Sequence, residues 1–208
     1  KGALEEKVNN YIHFILYLGN GWQVGLSDLR KFAKILFGPK DEIENLPELK
    51  NLGPEPLEKS FNVIKFVKLI KSQKRKIKQV LMDQEIIAGI GNIYADEILW
   101  EAKIHPLKQA NKLSGKESKE IFLAMKEILK KAVKLRGTSI SDYRDAFGKS
   151  GGYAKMLKVY PHTKREYSRY GVGVYRRENE PCPRCGSMIK RIRIGGRSSH
   201  YCPKCQKI

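Results

Sequence analysis

The chain has 208 residues, of which 41% are hydrophobic, so it has enough apolar material for one or two domains with real cores and wholesale disorder is excluded. Against 22 acidic residues stand 41 lysines and arginines, a formal net charge of +19. Such an excess favours a polyanionic partner, nucleic acid first, although a merely soluble basic or ribosomal-type protein carries the same balance.

The charge is unevenly placed: residues 1–60 sum to −1, residues 61–148 to +8 and residues 149–208 to +12. A polyanion is therefore expected on the middle and C-terminal parts. Ile12-His13-Phe14-Ile15-Leu16-Tyr17-Leu18, then Gly19-Asn20-Gly21, then Trp22-Gln23-Val24-Gly25-Leu26 predict a β-hairpin, because Asn-Gly tolerates positive φ. A lone hairpin is marginal in water. Together with a first residue that is Lys1 rather than Met, it suggests a larger sheet with sequence upstream. Behind the returning strand, Asp28-Leu29-Arg30-Lys31-Phe32 is a basic–aromatic cluster of the kind that enters a base stack, although Phe32 by itself reads as core.

Residues 38–56, with Gly38, Pro39, Pro47, Gly53, Pro54 and Pro56, predict a linker. Helical patterning is expected from Leu57 to about Leu81 and again from Ile93 to Ala102. The strongest helix begins at the capping-box pattern Ser114-x-x-Glu117 and steps through Ile121, Met125, Ile128, Ala132 and Leu135. Between the first two helical stretches lies Gln84-Glu85-Ile86-Ile87-Ala88-Gly89-Ile90-Gly91-Asn92-Ile93-Tyr94. Its two glycines permit close approach of a bulky partner, and the free N–H groups of a new helix favour phosphate. A Gly-x-Gly is also an ordinary tight turn; Lys76 and Lys78 just upstream strengthen the phosphate reading. Asp96 and Glu97 are read as first-turn acids favoured by the helix dipole. Residues 137–153 are loop-like, and residues 154–179 are basic and tyrosine-rich with weak β character.

All four cysteines fall in the last 27 residues, as Cys182-Pro183-Arg184-Cys185, sixteen residues, then Cys202-Pro203-Lys204-Cys205. Two such turns present four thiolates to one Zn²⁺ and leave no open coordination position, so the metal is structural; a redox dithiol is the competing reading. Metal binding would supply the folding free energy of so short a finger, roughly 10–16 kcal/mol. Ile192-Arg193-Ile194 alternates, Gly195-Gly196 turns, and Arg197 stands at the tip, able to fork onto a phosphate or simply to be solvated. No run of roughly 18 apolar residues and no basic-then-apolar leader is seen, and a reduced, cytoplasmic setting is expected.

Together, Gln84 through His105-Pro106, the loop from Thr138 to Gly152, and the four-cysteine finger with Gly196-Arg197-Ser198-Ser199 resemble formamidopyrimidine-DNA glycosylase and its endonuclease VIII relatives. Asp28-Leu29-Arg30-Lys31-Phe32-Ala33 looks like the family's Asp-Pro-Arg-Arg-Phe-Gly segment, with Leu for Pro and Ala for Gly, and the resemblance covers about residues 11–208. It implies an α+β fold. Residues 1–45 would be the remnant hairpin of an N-terminal β-sandwich, and 46–153 a helix–two-turn–helix domain with a lesion lid. A basic insertion would follow at 154–178, then a zinc β-hairpin finger at 179–208.

The activity implied is base-excision repair of oxidised purines, 8-oxoguanine and formamidopyrimidine, by a monomeric glycosylase and abasic-site lyase on duplex DNA. The implied proline nucleophile, glutamate acid and N-terminal-domain lysine fall before Lys1, so the 208 residues alone are expected to be inactive. Carried over onto this sequence, Asn92 and Lys78 hold phosphates. Arg30 and Phe32 fill the gap left by the extruded base. Thr138, Asp142 and Tyr143 belong to the lid. Arg197 binds phosphate and is the δ-elimination donor. About fifteen residues, near Pro161 to Val174, are extra, and additional non-specific DNA contact is expected from Lys164, Arg165 and Arg169. A non-catalytic DNA-binding protein of the same modules, and a ribosomal-type RNA binder, are the competing readings; the long lid argues against the latter.

Overall fold

The computed structural model describes residues 10–28, 31–138, 149, 151–159 and 179–208. The described residues are α+β: a helical body with a small antiparallel hairpin at either end of the sequence. No helix among them is long and apolar enough to cross a membrane.

Strands β1 (Ile12–Tyr17) and β2 (Gln23–Ser27) pair antiparallel as the pattern predicts. At the turn, only Gly21 takes a positive φ, of 80°; Asn20 instead accepts the Trp22 N–H with its side chain at 3.1 Å. The hairpin leaves Phe14, Leu16, Tyr17, Trp22 and Val24 exposed.

The proline-rich stretch is not a plain linker. It contains two short helices, α1 (Lys40–Glu44) and α2 (Pro47–Lys50). Pro39 is the residue before α1, and Pro47 opens α2, where a missing N–H costs nothing. The helix expected over 57–81 divides into α3 (Val63–Lys71) and α4 (Ile77–Leu81). Asn62 starts α3 by accepting the Lys65 N–H at 3.0 Å, so Phe61 packs from outside the helix.

Helix α5 (Asn92–Glu101) and the long helix α6 (Gly115–Lys134) complete the body. Both bonds of the Ser114–Glu117 capping box form, at 3.1 and 2.8 Å. Ile121, Met125, Ile128 and Ala132 are buried against Phe61, Phe66, Ile98 and Leu99 in one core. A second, smaller cluster joins Trp100 of α5 to Val159, Ile189, Cys182 and Cys202. Strands β3 (Lys190–Ile194) and β4 (Arg197–Tyr201) form the C-terminal hairpin, and β4 packs on α5.

Candidate nucleic-acid interface and zinc centre

Between α4 and α5 the chain makes two turns, and the Gln84 side chain organises them. Its Nε2 donates to Met82 O at 3.1 Å and Ile90 O at 3.0 Å, while its Oε1 accepts the Gly89 N–H at 2.8 Å. Gly53 backs this turn so closely that a Cβ there would lie 2.4 Å from the Ile86 carbonyl carbon. Gly89 needs its glycine for a φ of 79°. Gly91, which begins α5, has an ordinary extended φ of −99° and nothing within 4 Å of where a Cβ would sit. Nothing inside the described residues demands glycine at 91, so the bare backbone there faces outward.

Helix α5 opens with no side-chain cap and no acid in its first turn. Its partial positive charge and unsatisfied N–H groups are therefore offered to an anion. This helix start forms one wall of an open cleft of about 520 Å³, lined also by Arg75, Gln79, Gln84, Asn92, Gly195 and Arg197. Two of the residues expected to hold phosphate, Asn92 and Arg197, thus share one cleft. The buried Asn92 Oδ1 accepts no hydrogen bond from the described residues. Arg75 adds a second guanidinium at the rim, held 2.8 Å from Asp83.

Arg197 reaches the cleft because Gly195 and Gly196, at φ of 54° and 78°, make the tight two-residue turn of the hairpin. Ile192 and Ile194 face inward, as alternation requires, and Arg193 faces solvent. The hairpin tip rests on α4: a Cβ on Gly195 would lie 2.9 Å from Gln79 Nε2.

The structure places Lys78 differently from its sequence expectation. It is fully buried, with Nζ 2.6 Å from Asp96 Oδ1 and 3.0 Å from Ser198 O. Burial lowers its pKa from 10.5 by more than Asp96 raises it. Asp96 and Glu97 are likewise not first-turn acids. They lie in the second turn of α5, fully buried. Asp96 also accepts the Ser199 hydroxyl at 2.7 Å and the His200 N–H at 2.9 Å. Glu97 takes the Lys158 and Val159 N–H groups at 2.7 and 2.9 Å.

Phe32 lies exposed beyond β2, on a turn in which the Asp28 carboxylate accepts the Phe32 and Ala33 N–H groups, each at 2.7 Å. Thr138 Oγ1 meets Tyr94 OH at 3.0 Å, and the Tyr94 and Tyr153 rings stack edge-on. Gly151 packs where a Cβ would lie 2.3 Å from Gly137 O, and Thr138 and Gly152 form an antiparallel bridge. Arg30, Asp142, Tyr143, Lys164, Arg165 and Arg169 lie outside the described residues.

The Sγ atoms of Cys182, Cys185, Cys202 and Cys205 all lie within 4.8 Å of one another. A tetrahedron of thiolates around Zn²⁺ at ~2.3 Å needs sulfurs about 3.8 Å apart, so the set fits this metal closely. Hydrogen bonding, first from the Ser187 backbone, brings Cys185 down to about 6, whereas burial pushes Cys202 up to about 12. Four cysteine sulfurs so placed supply a complete tetrahedral ligand set for one structural Zn²⁺ and leave no open position.

Around it, Trp100 Nε1 donates to Cys182 Sγ at 3.4 Å, and the Arg184 guanidinium lies 3.8 Å above the Trp100 ring. Gln206 accepts the Cys202 N–H at 2.8 Å and donates to Ile104 O at 2.9 Å. The finger borrows its missing core from the helical body. Trp100, Gln206 and Gln84 are functional supports that sequence reading passes over. The one signal for Gln206 is its place as the polar residue directly behind the second cysteine turn.

Residues 52–144 match the formamidopyrimidine-DNA glycosylase H2TH domain, and residues 179–208 match the zinc finger found in FPG and IleRS. The formamidopyrimidine-DNA glycosylase of Desulforamulus reducens is 40% identical over 200 residues, 96% of this chain and 67% of that protein. The chain belongs to the formamidopyrimidine-DNA glycosylase family.

Its fold is that of the family's solved members. MutM (Fpg) from Thermus thermophilus superposes with a TM-score of 0.81 at 34% identity, over 94% of this chain and 68% of that one. A Lactococcus lactis Fpg mutant, solved in complex with Fapy-dG containing DNA, gives 0.75 at 35% identity, over 89% and 63%. The chain spans about two thirds of the length of the curated relatives it matches.

Proposed function

We propose that this chain is the damaged-DNA-binding part of a bifunctional glycosylase and abasic-site lyase that removes oxidised purines from duplex DNA, acting as a monomer. The observation that carries the reading is the cleft in which the uncapped start of α5, Asn92 and Arg197 converge. One backbone phosphate fits that combination of helix N–H groups, an amide and a guanidinium fork. A phosphate gripped from both the helical body and the zinc hairpin is held rigidly, as base extrusion beside it requires. Extrusion itself costs a few kcal/mol, least where the base is damaged.

Exposed Phe32 is suited to fill the space that the extruded base vacates. In this reading the segment between Thr138 and Gly151, assigned by the family resemblance, covers that base. The oxidised-purine assignment draws on the relatives' names and on the Fapy-dG DNA of a structural relative. The amine nucleophile and acid that the family resemblance implies are not among residues 1–208. In this reading the 208 residues bind the lesion, and the product of the complete reading frame cuts it.

The test has two parts. The 208-residue chain is expected to bind a duplex carrying 8-oxoguanine or an abasic-site analogue more tightly than the undamaged duplex. The complete product is expected to be trapped by borohydride on abasic DNA. Equal affinity for damaged and undamaged duplexes would remove the repair reading. Selective binding without a trapped adduct would leave a non-catalytic damaged-DNA binder.

A further inference from the structure

The Lys78–Asp96 pair is the most deeply buried ion pair among the described residues, and the phosphate cleft makes no direct use of it. Asp96 lies one helical turn after Asn92 on α5, so the two share a face of that helix. From there the pair grips three consecutive residues of β4. Lys78 Nζ donates to Ser198 O, Ser199 Oγ donates to Asp96 Oδ1, and the His200 N–H donates to Asp96 Oδ2. The residue directly before those three is Arg197.

We infer that Asp96, with Lys78 as its counter-ion, is a positioning residue that sets Arg197 over the start of α5. This rests on the phosphate reading of the cleft. A fastening made only for stability has no need of charge, since apolar replacement of a buried pair is often neutral or stabilising. What the charged pair adds is direction. Donors and acceptors on successive residues fix the register and height of β4 against α5. The helix that carries one phosphate donor, Asn92, thereby dictates where the other arrives. Lys78, which the basic run from Lys74 to Lys78 presents as a phosphate ligand, serves DNA through Ser198 and Asp96 without touching it.

The experiment measures the affinity of the zinc-loaded chain for an abasic-analogue duplex across a range of salt concentrations. It uses Arg197→Ala, Asp96→Asn, Ser199→Ala and the Asp96→Asn/Arg197→Ala and Ser199→Ala/Arg197→Ala pairs, with zinc content and circular dichroism measured on each. Arg197→Ala is expected to reduce the salt slope by roughly one phosphate contact. Asp96→Asn is expected to give the same reduction while keeping one zinc, and the Asp96→Asn/Arg197→Ala pair is expected to lose no more than either alone.

An Asp96→Asn protein that melts earlier but retains the full slope would overturn the inference and leave Asp96 a plain fastening. An Arg197→Ala protein with the full slope would instead overturn the phosphate reading of the cleft. Should Asp96→Asn lose its zinc, Ser199→Ala decides. An affinity loss that vanishes in the Arg197→Ala background supports positioning, and an affinity equal to the parent's contradicts it.

Discussion

Replacing Trp100 with Phe probes whether the zinc centre and the helical body are one unit. The substitution keeps an aromatic ring in the cluster with Val159, Ile189 and Cys202 but deletes the N–H that meets Cys182 Sγ at 3.4 Å. A hydrogen bond to a charged acceptor contributes about 1.5–3 kcal/mol. The smaller ring also weakens the stacking of Arg184, whose guanidinium lies 3.8 Å from the ring centroid. Together these give about 2 kcal/mol, or roughly a 30-fold loss of zinc affinity. That lies inside the ~10–100-fold range typical when a metal ligand loses its supporting partner.

The assay is competition for Zn²⁺ against a chelator of known affinity, with thermal melting of zinc-loaded and zinc-free protein in parallel. The melting difference between Trp100→Phe and the parent should be large with zinc and small without it, because the N–H has a thiolate to meet only in the loaded finger. An unchanged competition constant, or an equal melting shift in both states, would refute the claim that α5 helps hold the metal.

Other outcomes follow from the same geometry. Gly53→Ala drives a Cβ to 2.4 Å from the Ile86 backbone, and about 3 kcal/mol of stability should be lost on thermal melting; a change below 0.5 kcal/mol, roughly that of a surface substitution, would contradict the packing. Gln84→Ala strands the Gly89 N–H and Ile90 O and should lower the melting temperature and weaken DNA binding together; loss of only one of the two would separate the turn from the cleft. Burial lowers the His105 pKa below 6.5, so above that value the residue is neutral in both states and contributes no pH dependence. As pH falls through 6.5 the unfolded chain takes up the proton first and stability drops, until the lowered folded pKa is passed. Denaturant titrations of the parent and His105→Phe at several pH values should show a weaker dependence in the variant, whose ring still packs on Tyr201. With Trp22→Phe leaving Trp100 as the sole reporter, stripping zinc should shift the tryptophan fluorescence towards that of an exposed indole.

The parts of this molecule that can be read along the chain are those governed by local rules. The capping box at Ser114, the alternation of Ile192 and Ile194, and the spacing of the four cysteines each carry their own periodicity, and all three appear as expected. Lys78, Asp96 and Glu97 defeat a local reading because their surroundings come from afar. Lys78 sits in a basic run that reads as phosphate-binding, and only the packing of β4 onto α4 and α5, more than a hundred residues away in sequence, buries it. Pro39 and Pro47 read as breakers because a proline that starts a helix and one that ends a helix look alike without the capping geometry. Trp100 carries no signal in the sequence, because its role at the zinc centre depends on a contact with Cys182.

One DNA phosphate clamped between the start of α5 and the tip of the zinc hairpin is the proposed arrangement on which the rest depends. Backbone amide chemical shifts, followed as an abasic-analogue duplex is added to the zinc-loaded chain, detect it residue by residue. The largest changes are predicted at Gly89 to Tyr94 and at Gly195 to Ser198, saturating together with one affinity. Changes centred elsewhere, or two groups that saturate at different concentrations, would contradict a single clamp.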